Sequence, residues 1–237
     1  MAFTVHAVMP GVWHIVDCMG VCMTLLEGEN AAMLVDTGYG IEDVADFMRH
    51  MTDLPLTVFL THNHHDHAMG ARCFPETYML EADMADWGIF TNDEMRRRVL
   101  TQAIGKNLTV DEKTFLAGEI PLPKVMKPGV IDLGGLTAEI IEAPGHTPGS
   151  AVVYVPERKL LLSGDDWNPC TWLFFPQALG LREYRSNMRG IQQLPFEKVL
   201  CPHREALYDR WMFDDFFNAL TDGNLRAAEP VNIAPYE

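Results

Sequence analysis

Directly after the continuous apolar run Leu56 to Leu60, the chain reads Thr61-His62-Asn63-His64-His65-Asp66-His67. An apolar run of that length reads as a fully buried strand, so its end carries four imidazoles and a carboxylate into the interior together. Neutral imidazoles packed side by side have few ways to satisfy every ring nitrogen, and near pH 6 several of them would charge and repel. A divalent cation removes both difficulties, because neutral imidazole and carboxylate are its natural ligands. A solvated His-rich tract is the competing account, but this window is internal, follows a buried strand and contains an aspartate. In an extended segment residues i and i+2 point the same way, so His62 and His64 can grip one ion together. Asp66 and His67 follow after the chain turns and can face a second ion. His65 has the wrong parity and is read as a non-ligand.

The rest of the chain alternates in a way that places this window on a strand end. Gly11 to Asp17, Val21 to Glu27 and Ala31 to Asp36 read as short strands, and Ile41 to Met51 has helical spacing at Ile41, Val44, Ala45 and Met48. A helix is expected from about His67 to Cys73, a strand from Thr77 to Leu80, and mostly helix from Glu81 to Ile104. A second helix is expected over Thr109 to Leu116 with Thr109 as its N-cap. The stretch from about 81 to 127 therefore reads as an inserted helical flap. Val130 to Leu133, Leu136 to Glu142, Ala151 to Val155, Lys159 to Leu162 and Lys198 to Cys201 read as strands. Leu181 to Leu194 and Arg204 to Leu220 read as helices, and the tail with Pro230 and Pro235 is expected on the surface. Two β-then-α halves suggest an α/β fold in which two sheets pack face to face with helices outside. No composition break divides the 237 residues, so a single domain over 1–237 is expected.

Three further residues stand where later strands end. His146 sits among glycines and prolines in Ala143-Pro144-Gly145-His146-Thr147-Pro148-Gly149-Ser150, a shaped loop. Asp165 ends the apolar run from Leu160 to Gly164, and a carboxylate delivered there needs a partner. His203 follows Val199-Leu200-Cys201-Pro202. Alone, each is more often structural; beside the first cluster the balance reverses. The formal charge of −15 disfavours a nucleic-acid surface, which Lys and Arg would have to supply. No run of about 18 apolar residues exists, so no membrane span is expected. Met1 to Pro10 lacks the basic and apolar regions of a signal peptide, and five cysteines, an odd number, fit a reducing cytoplasm. Cys18 and Cys22 are expected to be packing residues.

Taken together, His-x-His-x-Asp-His, Gly-His-Thr-Pro-Gly, Ser-Gly-Asp and a late histidine resemble the metallo-β-lactamase superfamily, over nearly the whole chain from Val35-Asp36-Thr37-Gly38 to His203. The resemblance implies a four-layer αββα sandwich. It implies one metal on His62, His64 and His146, a second on Asp66, His67 and His203, and Asp165 bridging them. Asp36 would orient a ligand histidine, and Thr147 would support the ligands from behind. The cofactor implied is two divalent ions, zinc first, with manganese or iron as alternatives.

Two cations about 3.5–4 Å apart hold a water between them and lower its pKa towards 7, and the resulting hydroxide attacks a carbonyl or phosphorus. Asp66 and Asp165 are the expected catalytic carboxylates: Asp165 bridges, while Asp66 orients the nucleophile or shuttles a proton. The combination with Asp165 resembles the branch of hydroxyacylglutathione hydrolases and lactonases. His64 stands where the di-iron flavoproteins carry Glu. The short C-terminal part after His203 departs from the glutathione-binding extension of the hydroxyacylglutathione hydrolases, and Pro202-His203-Arg204 departs from the usual Gly-His-Gly setting. The expected substrate is a small molecule, a carboxylic ester, thioester or lactone. The alternatives are a phosphodiester on the same centre and a mononuclear iron oxygenase resembling the persulfide dioxygenases. Trp87, Trp167, Trp172, Phe174 and Tyr184 are expected to line the substrate pocket. A homodimer is left open.

Overall fold

Strand residues with apolar side chains on both faces need cover on both sides, and that requirement builds the whole architecture. The computed structural model describes residues 3–170 and 172–227. One sheet runs in spatial order through β1 (Thr4–Met9), β2 (Val12–Val16), β3 (Cys22–Glu27), β4 (Ala32–Val35), β5 (Leu56–Phe59), β6 (Tyr78–Met79) and β7 (Lys124–Val125). Its first four strands are antiparallel neighbours, and β4 to β7 are parallel. The other sheet runs through β8 (Gly129–Asp132), β9 (Thr137–Glu142), β10 (Ala151–Val155), β11 (Leu160–Leu162), β12 (Lys198–Leu200) and β13 (Tyr208–Asp209), all antiparallel except β11 against β12. The helices are α1 (Val44–Met51), α2 (His65–Ala68), α3 (Trp87–Thr91), α4 (Asp93–Gly105), α5 (Glu112–Phe115), α6 (Leu181–Gln192), α7 (Arg210–Ala219) and α8 (Asp222–Ala227).

Period-two alternation sorts the side chains into layers. Leu26, Met33, Val35 and Phe59 of the first sheet meet Ile140, Val153, Val155, Leu160 and Leu162 of the second in a central core. Their neighbours point outward. Leu25 and Leu34 pack against Val44, Ala45 and Met48 of α1. Val152, Tyr154, Leu161 and Val199 pack against Tyr184, Met188 and Ile191 of α6 and Phe213 and Phe217 of α7. The result is an α/β sandwich of helix, sheet, sheet and helix layers, as expected from the two β-then-α halves.

Local chemistry moves several boundaries. β1 pairs with β2 despite an exposed face that gives it no alternating signal. The helix expected from Thr109 begins at Glu112, because the Asp111 side chain accepts from Thr114 N and takes the capping role. Arg204 to Leu207 are not helical: Tyr208 and Asp209 pair with β12 first, and α7 starts at Arg210. Residues 81–127, expected as an inserted helical flap, carry α3, α4 and α5. Trp87, Val99, Leu100, Ala103, Phe115 and Ile120 form a core with Met19, Tyr39, Leu60 and Met69, and the segment ends in edge strand β7. The Pro230–Pro235 tail lies outside the described residues. Among the described residues, no helix is long and apolar enough to cross a membrane.

Candidate metal centre

Asp36, the His62–His67 segment, Asp165 and His203 all follow strand ends, of β4, β5, β11 and β12, and His146 lies in the loop between β9 and β10. The backbone fastens these ends together: Ala151 N donates to Thr61 O at 2.9 Å, Asp36 N to Phe59 O at 2.8 Å and Ser163 N to Leu200 O at 3.0 Å. Each strand thus delivers its polar residue to one edge of the sandwich. His62, His64, Asp66, His67, His146 and Asp165 are buried, and the side chain of His203 retains 11% exposure.

Three sets of donor atoms converge there, each close enough to share one ion: His62, His64 and His146; His62, His67 and Asp165; and Asp66, His67 and His203. Asp165 is the common neighbour. Its Oδ2 lies 3.4 Å from His146 Nε2, 3.5 Å from His67 Nε2 and 3.9 Å from His62 Nε2, and its Oδ1 lies 3.1 Å from His203 Nε2. Asp66 Oδ2 is 3.6 Å from His203 Nε2 and 3.7 Å from His67 Nε2. All seven residues expected as ligands are brought together, and His65 stands outside the three sets, packed edge-on to Tyr39.

The remaining ring nitrogens test whether a cation fits. His67 Nδ1 donates to Asp36 Oδ2 at 3.0 Å, and His146 Nδ1 donates to the Trp172 carbonyl at 2.6 Å. Thr61 Oγ1 gives its hydrogen to Asp36 and so receives that of His62 Nδ1, 3.0 Å away. These bonds occupy Nδ1 of all three rings and leave Nε2 as the nitrogen of each that is turned inward. His62 Nε2 and His67 Nε2 are buried with no hydrogen-bond partner, and His146 Nε2 faces His64 Nδ1 at 2.8 Å. Unpaired buried nitrogens such as those of His62 and His67 are costly, and a divalent ion is a group that satisfies them.

Electrostatics agree. Burial, then the positive charge of neighbouring rings, holds His62 and His64 well below the usual histidine pKa. Burial likewise lowers His146. His67 goes the other way: burial opposes its charge, but Asp165, Asp66 and Asp36 together outweigh it and raise it well above the usual value. His203 is raised by Asp165 in the same manner against its burial. Asp165 is held well below the carboxylate range despite burial, by His203 and His67. Neutral imidazoles on one side and carboxylates that call for positive charge on the other are the state in which such groups bind metal.

Supporting residues hold this arrangement. Asp36 adopts φ 64°, a left-handed conformation uncommon outside glycine, asparagine and aspartate, and so its carboxylate reaches Thr61 N at 2.7 Å as well as His67. Thr147, expected behind the ligands, donates to Asp83 Oδ2 at 2.7 Å. Asp83 was not evident from the sequence. It also accepts from Asn63 N and Gly149 N, so one buried carboxylate ties the His62–His67 segment to the His146 loop. Asp166, equally unmarked, accepts from His146 N at 2.9 Å. The glycines of the loop follow from crowding: a Cβ on Gly145 would stand 2.4 Å from the Tyr184 ring, and one on Gly149 2.6 Å from Asp83 N.

The expected pocket divides. Trp172 stacks on His203 with ring centroids 4.4 Å apart, and Phe174 packs at a tilt against Phe175 at 4.5 Å. Trp87, Trp167 and Tyr184 are instead core residues. Trp87 packs in the core beside α4, Trp167 against Tyr208 and Phe213, and the Tyr184 hydroxyl is spent on the Asp166 carbonyl. Aromatic density in a sequence does not distinguish a pocket wall from the core behind it. The rings beside the centre are Phe90 and Phe175, 4.5 Å and 4.6 Å from His64, together with Trp172.

The family model of the metallo-beta-lactamase superfamily matches residues 16–203 of this chain. Among curated proteins, the acyl-coenzyme A thioesterase MBLAC2 of Gallus gallus is 26% identical, the match covering 76% of this chain and 70% of that protein. Among solved structures, the metallo-β-lactamase FIM-1 from Pseudomonas aeruginosa, in its mono-zinc form, superposes with TM-score 0.67 at 17% identity, covering 97% of this chain and 98% of that one. A metallo-β-lactamase from Pontibacter korlensis superposes with TM-score 0.65 at 17% identity, covering 91% and 97%.

Proposed function

The chain belongs to the metallo-β-lactamase superfamily and is a metal-dependent hydrolase, and on that premise we propose that it carries two divalent ions, zinc in the first place, and hydrolyses a small-molecule thioester, with carboxylic esters and lactones as neighbouring substrates. The observation that carries the two-ion reading is Asp165: one carboxylate lies within 3.9 Å of ring nitrogens from both outer donor sets. His62, His64 and His146 would hold one ion, Asp66, His67 and His203 the other, and Asp165 would join both. The thioester is favoured because the thioesterase of Gallus gallus is similar over 76% of this chain.

The ions, when bound, supply Lewis acidity and lower the pKa of water towards neutrality. The protein's own residues do the rest. Asp36 and the Trp172 carbonyl hold His67 and His146 in the tautomers that present Nε2. Asp66 would accept a hydrogen from an incoming water and so aim its oxygen at the acyl carbon. Phe90, Phe175 and Trp172 form an apolar wall, which suits an acyl chain, excludes bulk water and strengthens the electrostatics inside.

Elemental analysis of the purified protein, with His64→Ala and Asp165→Ala beside it, tests the reading together with a panel of thioesters, esters, lactones and phosphodiesters. Two zinc or manganese ions per chain, falling in both variants, with thioester turnover, is the expected result. A single iron with oxygen uptake, or no retained metal under any condition, overturns it.

A further inference from the structure

Arg49, Arg98, Lys124, Lys159, Lys198 and Arg210 each sit in an ion pair on the described surface. Arg182, Arg185 and Arg189 do not. Among the described residues none of the three makes an ion pair or a hydrogen bond, although acidic residues outnumber basic ones by 33 to 18. Their spacing of three and four residues puts them on one face of α6, where with Leu181, Ser186 and Asp222 they line an open groove of about 500 Å³. The Arg185 guanidinium lies over the Phe217 ring at 5.9 Å, and its Nε is buried without a partner. Three unpaired guanidiniums facing one acid across a groove make a site for an anion with several oxygens.

The groove is joined to the metal centre through the backbone. Leu179 N, just before α6, donates to Gly145 O beside His146, and Asn187 of the helix donates to Pro144 O in the same loop. From Arg182 to Arg189 the helix advances roughly 10 Å, so the arginines form a strip rather than a point.

Resting on the thioester reading above, we infer that this strip binds the phosphates of the substrate's thiol carrier: the enzyme takes acyl thioesters of a phosphorylated, nucleotide-like thiol, its acyl group among the aromatics and its phosphates on α6. The test compares two thioesters with the same acyl group, an acyl-coenzyme A and the matching acyl-pantetheine, which lacks the nucleotide phosphates. It also measures calorimetric binding of adenosine 3′,5′-bisphosphate, which needs no turnover. The wild-type protein should favour the phosphorylated substrate in kcat/KM. The triple variant Arg182→Gln, Arg185→Gln, Arg189→Gln should raise KM for it by about ten- to a hundredfold, lose nucleotide binding to a similar degree, and leave acyl-pantetheine turnover unchanged. Equal loss on both substrates, or nucleotide binding that survives the triple variant, overturns the inference. Nucleotide binding that depends on the arginines, without hydrolysis of either thioester, would sink the thioester reading while leaving an organic-phosphate site on α6. Binding of inorganic phosphate as strong as that of the nucleotide would mark a free-anion site and overturn the carrier assignment.

Discussion

Replacing Asp83 with alanine removes a side chain that holds two ligand-bearing loops together. Its Oδ2 accepts from Asn63 N at 3.1 Å and Thr147 Oγ1 at 2.7 Å, and its Oδ1 accepts from Gly149 N at 2.6 Å. All four residues are buried. A hydrogen bond to an ionised acceptor contributes about 1.5–3 kcal/mol, but burial also taxes the carboxylate and raises its pKa, so the three do not simply add. Leaving three buried neutral donors without their acceptor costs about 1–3 kcal/mol each, partly offset by removing the buried carboxylate, so about 3–5 kcal/mol in all. At about 2–4 °C per kcal/mol for a chain of this size, the melting temperature should fall by roughly 6–20 °C. The loops also set the spacing of His62 and His64 against His146, so metal should bind about 10–100-fold more weakly. Circular dichroism melts of metal-loaded and chelator-treated protein, with competition against a chromophoric chelator, read both effects. Asp83→Asn, which keeps the shape and one acceptor oxygen, should fall between. An alanine variant that melts within 2 °C of wild type and holds metal as tightly would refute the reasoning.

Asp36→Asn keeps the left-handed backbone but weakens the bond to His67, and should lower metal affinity about tenfold or more with little change in melting temperature; chelator competition checks it. Gly149→Ala drives a methyl group to 2.6 Å from Asp83 N and Oδ1 and should cost about 1–3 kcal/mol or more of stability, read as a shift in the urea midpoint. Trp172→Ala removes the ring stacked on His203 but not the carbonyl that orients His146, so KM for apolar acyl substrates should rise several-fold while metal content stays at the wild-type level.

The candidate ligands are legible in the sequence because metal chemistry uses few residue types at strand ends, and strand ends announce themselves through apolar runs. The layers are legible for the same reason: Leu25 against Leu26 and Val152 against Val153 alternate between two cores. What escapes is whatever depends on distant contact. Asp83 and Asp166 are two among many aspartates, and only the fold puts them beside the His146 loop. Trp167 and Trp172 lie five residues apart with similar surroundings, yet one is core and the other faces His203. The cap at Asp111 rather than Thr109 turns on a two-residue competition that local pattern does not decide.

The donors of the centre are spread along the chain, and a chain is made from one end. His62, His64 and His146 exist together once synthesis passes position 146, whereas Asp66 and His67 wait for position 203. At about 5–20 residues per second the interval is roughly 3–11 s. Every newly made molecule therefore passes through a period in which the set of His62, His64 and His146 has all its members while the set of Asp66 and His67 still lacks His203.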